Sequence, residues 1–211
     1  MVKLTLLNEE MFNLFVIDKL ETFKEYAQII ENKFKEKLDE HEANIKKIEG
    51  NEVDDYIDFY LEDMTNLNDD FPNILRRSLL ISIVSFLEAE LIQLYKIEDT
   101  KKFNEPKGSV LKKIAIYAKK EQKKDFPNDT KEWSYIQRVY KLRNCIVHNE
   151  GYISRANNPT EVQDAIKELQ YVSEQSTGIK LEKEFCFEFI EVAKIFLLDI
   201  RLALLKKSPQ V

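Results

Sequence analysis

The sequence predicts an all-α protein with a long N-terminal helical hairpin. Its 211 residues include only 4 Gly and 5 Pro, so helix breakers are scarce, and apolar residues recur at steps of three and four through most of the chain. With 33% charged and 44% hydrophobic residues, the chain suits helices that bury one face and solvate the other. The length allows one domain, or one domain with an extension, large enough to bury a core. Residues 1–68 are expected to form the long helix and hairpin and residues 69–211 the main helical domain, the two joined as one continuous unit. There is no internal repeat and no low-complexity tract.

The elements follow in order. Residues 1–7 are short and apolar, a frayed start or an edge strand. Asn8 is placed to cap a helix running to about Ile48. Its apolar positions, from Val16 through Leu20, Phe23, Ala27, Ile30 and Phe34 to Ile45, make a narrow coiled-coil-like seam, with His41 in the one vacant place. No Cys, His or Asp stands at metal spacing from His41. Gly50-Asn51 closes this helix, and Val53, Tyr56, Tyr60, Met64 and Leu67 mark a second. The short link favours an antiparallel hairpin. The first helix outruns its partner, so part of its seam is expected to pack on the rest of the domain or on a second copy of the chain.

Asp69-Asp70-Phe71-Pro72 signals the next start, with Pro72 in the first turn. From Asn73 to about Ile97 the helix is apolar almost all round, which predicts a central position. Its polar residues Arg76, Ser78, Ser82, Ser85 and Glu88 are therefore the informative ones. Asp99 to Lys107 reads as a loop, and a helix follows to about Lys120, with Leu111, Ile114 and Tyr117 on its core face. Lys107, Lys112, Lys113, Lys119, Lys120, Lys123 and Lys124 give that helix and its tail a basic face, either simply solvated or a wall that steers a polyanion. Asp129 or Thr130 caps the next helix, through Gly151. Ser154 to Pro159 is polar and expected to be mobile, and Thr160 caps a helix through Val172. Gln175 to Lys180 is a link with Gly178 and a short extended piece. The last helix, Lys183 to Lys206, carries Phe185, Phe189, Phe196 and Leu198 into the core and is closed by Lys206-Lys207 and Pro209.

Chemistry concentrates on Trp133 to Gly151. At about 100° per residue, Ile136, Val139, Tyr140, Ile146 and Val147 lie within about 60° of Arg143, which sets a guanidinium in an apolar face. A lone buried charge is costly and Arg cannot shed its proton, so an anion must meet it, either a carboxylate of another helix or a ligand phosphate. Asn144 and His148 stand i,i+4 at the border of that face.

Arg143-Asn144-Cys145-Ile146-Val147-His148 resembles the R-x-x-x-x-H signature of the HEPN superfamily, including the polar residue after the Arg. The resemblance covers about residues 55 to 205 and implies a HEPN-like up-and-down helical bundle. The segment RRSLLISIVSFLEAEL is similar to the helix that pairs with the motif helix in that family and often supplies a carboxylate to hold the motif Arg. Glu88 is the first choice and Glu90 the second. An internal ion pair of Glu88 with Arg143 or Arg76 that only holds the fold is the structural alternative.

The resemblance further implies a metal-independent endoribonuclease with a composite site at a homodimer interface, acting on RNA in a toxin or antiphage defence context. Arg143, His148, Asn144 and Glu88 would then be catalytic, and Lys112, Lys113, Lys119 and Asn149 would bind substrate, with no metal and no cofactor. An antitoxin or other partner protein is the expected companion. The alternative is a non-catalytic dimerisation or RNA-binding scaffold module. In relatives silenced by nucleotide transfer, a Tyr commonly follows the motif His by two residues. Here Glu150 stands there, and the nearest Tyr is Tyr152.

Composition narrows the rest. A net charge of −6 argues against general affinity for nucleic acid, though not against a local basic groove. Cys145 and Cys186 fall in apolar helical pattern and read as reduced core residues of a cytosolic protein. The start lacks the long apolar stretch of a signal peptide and no run is long enough to span a bilayer, so a cytoplasmic protein without membrane contact is expected. Gly-rich phosphate loops, C-x-x-C, H-E-x-x-H and G-x-S-x-G are all missing.

Overall fold

A computed structural model of the chain describes residues 9–176 and 178–206, which form an all-α helical bundle with one two-stranded hairpin. The expected start at residues 1–7, the Asn8 cap and the Lys207 and Pro209 stop lie outside the described residues. Among the described residues, no helix is long and apolar enough to cross a membrane.

Helix α1 (Glu9–Phe12) passes through a π-helical turn (Asn13–Ile17) into α2 (Asp18–Ile45). The seam residues Val16, Leu20 and Ala27 are buried as their spacing requires. The chain then returns along α2. Phe23 meets Phe86, Glu31 meets Arg76, Phe34 meets Phe71 and His41 meets Asp63, pairs whose order reverses as an antiparallel arrangement demands. The surplus length of α2 packs on α4 and α9 of the same chain.

The expected break at Asp69–Pro72 does not occur. Helix α3 (Asn51–Thr65), a π-helical turn (Asn66–Asp70) and α4 (Phe71–Leu94) make one unbroken helical run. Proline lacks an N–H, and its ring collides with the carbonyl four residues back in a regular helix. The wider turn just before Pro72, where the Phe71 N–H donates to the Asn66 carbonyl, shifts the register and lets the helix continue.

Further on, α4 stops at Leu94 rather than Ile97, as Lys96 turns to a φ of 46°. The loop read over Asp99–Lys107 holds a short helix, α5 (Thr100–Asn104), because the Asp99 carboxylate accepts the Lys101 and Lys102 N–H groups at 3.1 Å. Helix α6 (Val110–Lys120) is capped by Ser109 and α7 (Lys131–Asn149) by Thr130. A 3₁₀ turn (Ile153–Arg155) leads to α8 (Pro159–Lys167), capped by Asn158 rather than Thr160 and ending well short of Val172. Val172 instead opens β1 (Val172–Gln175), paired antiparallel with β2 (Gly178–Leu181) in the register Val172 opposite Leu181. Helix α9 (Lys183–Lys206) spans the range its pattern predicts.

The core lies where α4, α7 and α9 meet. Leu80, Ile83, Leu87, Ile136, Val139, Phe185, Phe189 and Phe196 are all buried there. Trp133 stacks on Phe196 at 5.6 Å between ring centres, which fixes the first turn of the motif helix against α9. Cys145 and Cys186 are free thiols inside this core. Burial pushes the Cys186 thiol up to about 12, so it packs as a small hydrophobe.

Candidate functional site

The apolar stripe of α7 surfaces towards its C-terminus, and Arg143 stands at that emergence. Ile136 and Val139 are buried, Arg143 is half-buried, and Val147 is 41% exposed. The guanidinium lies 5.9 Å from the Tyr140 ring centre, close enough for a cation–π contact. Its Nη1 donates to Asn144 Oδ1 at 3.1 Å, while its Nε is buried with no hydrogen-bond partner. Among the described residues no carboxylate forms an ion pair with it.

Glu88 is close without being that partner. Its carboxylate receives the Tyr140 hydroxyl and feels the Arg143 charge, yet its Oε1 is buried and unpaired. Burial raises the Glu88 carboxyl above its ordinary range, against the opposing pull of Tyr140 and Arg143. The Val110 N–H, a free donor at the start of α6, lies beside the Tyr140 hydroxyl and opposes the upward shift that burial gives it. Three helices thus converge on Tyr140. Arg76 is held elsewhere, since Glu31 accepts its Nε and Nη2 at 2.7 and 2.9 Å. Neither arginine makes the internal ion pair with Glu88.

Glu90, the second-choice carboxylate, is 8% exposed, and burial pushes it up to about 7. It lies two residues, about 200°, around α4 from Glu88 and so faces away from Arg143.

His148 sits about 140° around α7 from Arg143. It is exposed in the last turn and lines an open cleft of about 650 Å³ between α7 and the start of α8. Lys141, Asn144 and Asn149 share the α7 side of the cleft, and Asn157, Asn158 and Glu161 lie on the other. Glu161 is engaged by Lys141 at 3.5 Å and by Asn158 Nδ2 at 2.7 Å. Asn144 belongs to both neighbourhoods, touching Arg143 and lining the His148 cleft.

The basic helix is not brought to this cleft. Lys112 is exposed beside Gly108, Lys113 donates to Asn104 at 3.2 Å, and Lys119 is hydrogen-bonded to Asn128. Its first turn lies nearer the other flank, where Val110 meets Tyr140.

The end of α7, two residues past His148, is locked by a residue the sequence reading did not single out. Arg77 on α4 donates from Nη1 to the Glu150 carbonyl at 3.1 Å and from Nε to the Ile179 carbonyl at 3.1 Å. The Ile179 N–H in turn donates to the Gly151 carbonyl at 3.0 Å. Glu150 takes the left-handed conformation that ends the helix. A second Arg on a helix apolar all round was the available signal, since it too needs buried acceptors.

His41 has partners after all. It is nearly buried, with Nδ1 3.0 Å from the Tyr56 hydroxyl and Nε2 3.0 Å from Asp63 Oδ2. Both ring nitrogens are satisfied, and the ring joins α2 to α3. Among the described residues, no three His, Cys, Asp or Glu side chains gather in a way that would hold a metal ion. Compared with protein-family models, curated proteins and solved structures, the chain finds no significant match in any of the three.

Proposed function

We propose that the protein is a HEPN-type, metal-independent endoribonuclease whose composite site forms between two copies of the chain. The observation that carries this reading is Arg143: a half-buried guanidinium with an unpartnered Nε and no ion-paired carboxylate, joined through Asn144 to a cleft lined by His148. A cation so placed is suited to a visiting phosphate.

Transesterification of RNA needs the 2′-OH deprotonated, charge stabilised on the phosphorane, and a proton for the leaving 5′ oxygen. One imidazole takes the 2′-OH proton as that oxygen attacks phosphorus. The P–O5′ bond breaks, and a second, protonated imidazole gives its proton to the leaving 5′ oxygen. The products are a 2′,3′-cyclic phosphate and a 5′-OH. Each chain contributes one His148, so a two-fold pair supplies both base and acid. The Arg143 guanidinium binds the non-bridging oxygens, Asn144 steadies it, and Glu88 with Tyr140 holds the surrounding helices in place. The toxin or antiphage setting and an antitoxin partner belong to the same proposal and rest on family analogy.

The test is total RNA incubated with purified protein and a chelator. His148→Ala is expected to slow cleavage about 10²–10⁴-fold and Arg143→Ala about 10²–10³-fold, with far-UV dichroism and oligomeric state unchanged. Either variant cutting at the wild-type rate would overturn the proposal. A second reading, a non-catalytic dimerisation module, is favoured by the apolar groove between α2 and α4, where Tyr26 and Ile74 are 55% and 63% exposed. Intact RNA with wild-type protein would leave that reading standing.

A further inference from the structure

Beside His148, the α7–α8 cleft has a chemical character that the transfer step does not use. Its charged groups are spoken for: Lys141 is paired with Glu161, and Glu161 also accepts from Asn158, which in turn caps α8. Apart from the His148 imidazole, the remaining polar groups are neutral amides. The side chains of Asn149 and Asn157 make no hydrogen bond among the described residues, and Asn144 spends only its oxygen, on Arg143. Between them lie the apolar surfaces of Ala156, Val162 and Cys145. At about 650 Å³ the cleft falls within the roughly 300–1,000 Å³ common for small-molecule sites.

We infer that this cleft seats one unpaired nucleobase of the RNA, and that its amides select adenine. The inference rests on the ribonuclease reading for its substrate class. An amide presents a donor and an acceptor side by side, the complement of adenine N7 and N6. Guanine is best matched by a free Arg or Lys and cytosine by a free carboxylate, and here Lys141 and Glu161 occupy each other. The N7 and N6 edge of a paired adenine lies in the deep, narrow major groove of an RNA duplex, where side chains cannot reach it, so the target is single-stranded. With a net charge of −6 and few free cations at the cleft, base contacts rather than phosphate neutralisation supply the selectivity.

The experiment titrates full-length protein with the 5′-monophosphates of adenosine, guanosine, cytidine and uridine, read by ligand-observed NMR, alongside sequencing of the RNA ends it generates. Adenosine monophosphate is expected to bind about tenfold more tightly than the other three, and cut sites to be enriched for adenine at one fixed position. Asn157→Ala, on an exposed loop, should abolish both preferences, and Asn157→Gln should partly restore them. Equal binding of the four nucleotides, or an unchanged preference in Asn157→Ala, would overturn the inference. Adenosine selectivity without RNA cleavage would refute the ribonuclease proposal but leave the cleft assignment intact. Cleavage without adenine selectivity would do the reverse.

Discussion

Replacing Gly178 with alanine should loosen the clamp at the end of the motif helix. Gly178 sits at φ +98°, and a Cβ there would lie 2.8 Å from the Gly151 carbonyl oxygen and 2.9 Å from its carbon. That oxygen cannot retreat freely, since the Ile179 N–H holds it at 3.0 Å, and Arg77 Nη2 lies 3.3 Å from the same Cβ. Left-handed backbone costs a non-glycine residue roughly 1–2 kcal/mol, and forced overlap adds roughly 1–3 kcal/mol. The expected loss is about 2–5 kcal/mol, a large share of the stability of an ordinary domain. Gly50→Ala gives a strain-only reference, because Gly50 sits at φ +61° and ψ −138°, a region that favours glycine, with nothing within 4 Å of its Cβ. It should lose only the backbone part. Urea unfolding followed by fluorescence suits the pair, since the single Trp, Trp133, is buried against Phe196. A Gly178→Ala loss of no more than roughly 1–2 kcal/mol would show that the close approach to Gly151 carries no energy.

Two further outcomes follow from buried charge. Glu90 is pushed up to about 7 by burial, against about 4.3 in an unfolded chain, so the folded state holds its proton longer and stability falls as pH rises from about 4 to 7. Glu90→Gln should therefore gain up to roughly 3 kcal/mol at pH 8 and nothing near pH 4; an equal effect in urea titrations at both pH values would refute this. Glu31→Ala strips Arg76 of its bidentate partner, in a pair only 13% and 10% exposed, and should cost roughly 3 kcal/mol. The double change Glu31→Met with Arg76→Met should recover much of that loss, and a thermal melt showing the single variant as stable as wild type would rule the pair out as a support.

Periodicity made the long elements readable. The apolar steps of α2, the all-round apolar α4 and the Phe-rich α9 each needed a buried surface, and the bundle provides one. Shorter elements were decided by single side chains that compete closely. Asp99 won a helical turn from a stretch rich in loop formers, and Asn158 beat Thr160 to the cap of α8. Pro72 misled because the relief of its clash came from a π turn, which leaves no mark in hydrophobic spacing. At the candidate site, Arg143, Asn144 and His148 could be placed on one helix from the sequence. The neighbours from other elements were not legible: Tyr140 with Glu88 and Arg77 with Gly151 and Gly178 are separated by tens of residues and joined only by the fold, and the α8 wall of the cleft, though near in sequence, is placed by the turn at Ile153–Arg155.

The unbroken passage from α3 into α4 gives the molecule a stiff lever. From Asn51 to Leu94 the backbone rises roughly 65 Å at about 1.5 Å per residue, with its outer end pinned to α2 by the His41 ring and its inner end bearing Glu88 beside Tyr140. A push on the tip of the hairpin, for instance by a bound macromolecule, would travel along that beam. The widened turn before Pro72 is where that beam departs from regular α-helical hydrogen bonding.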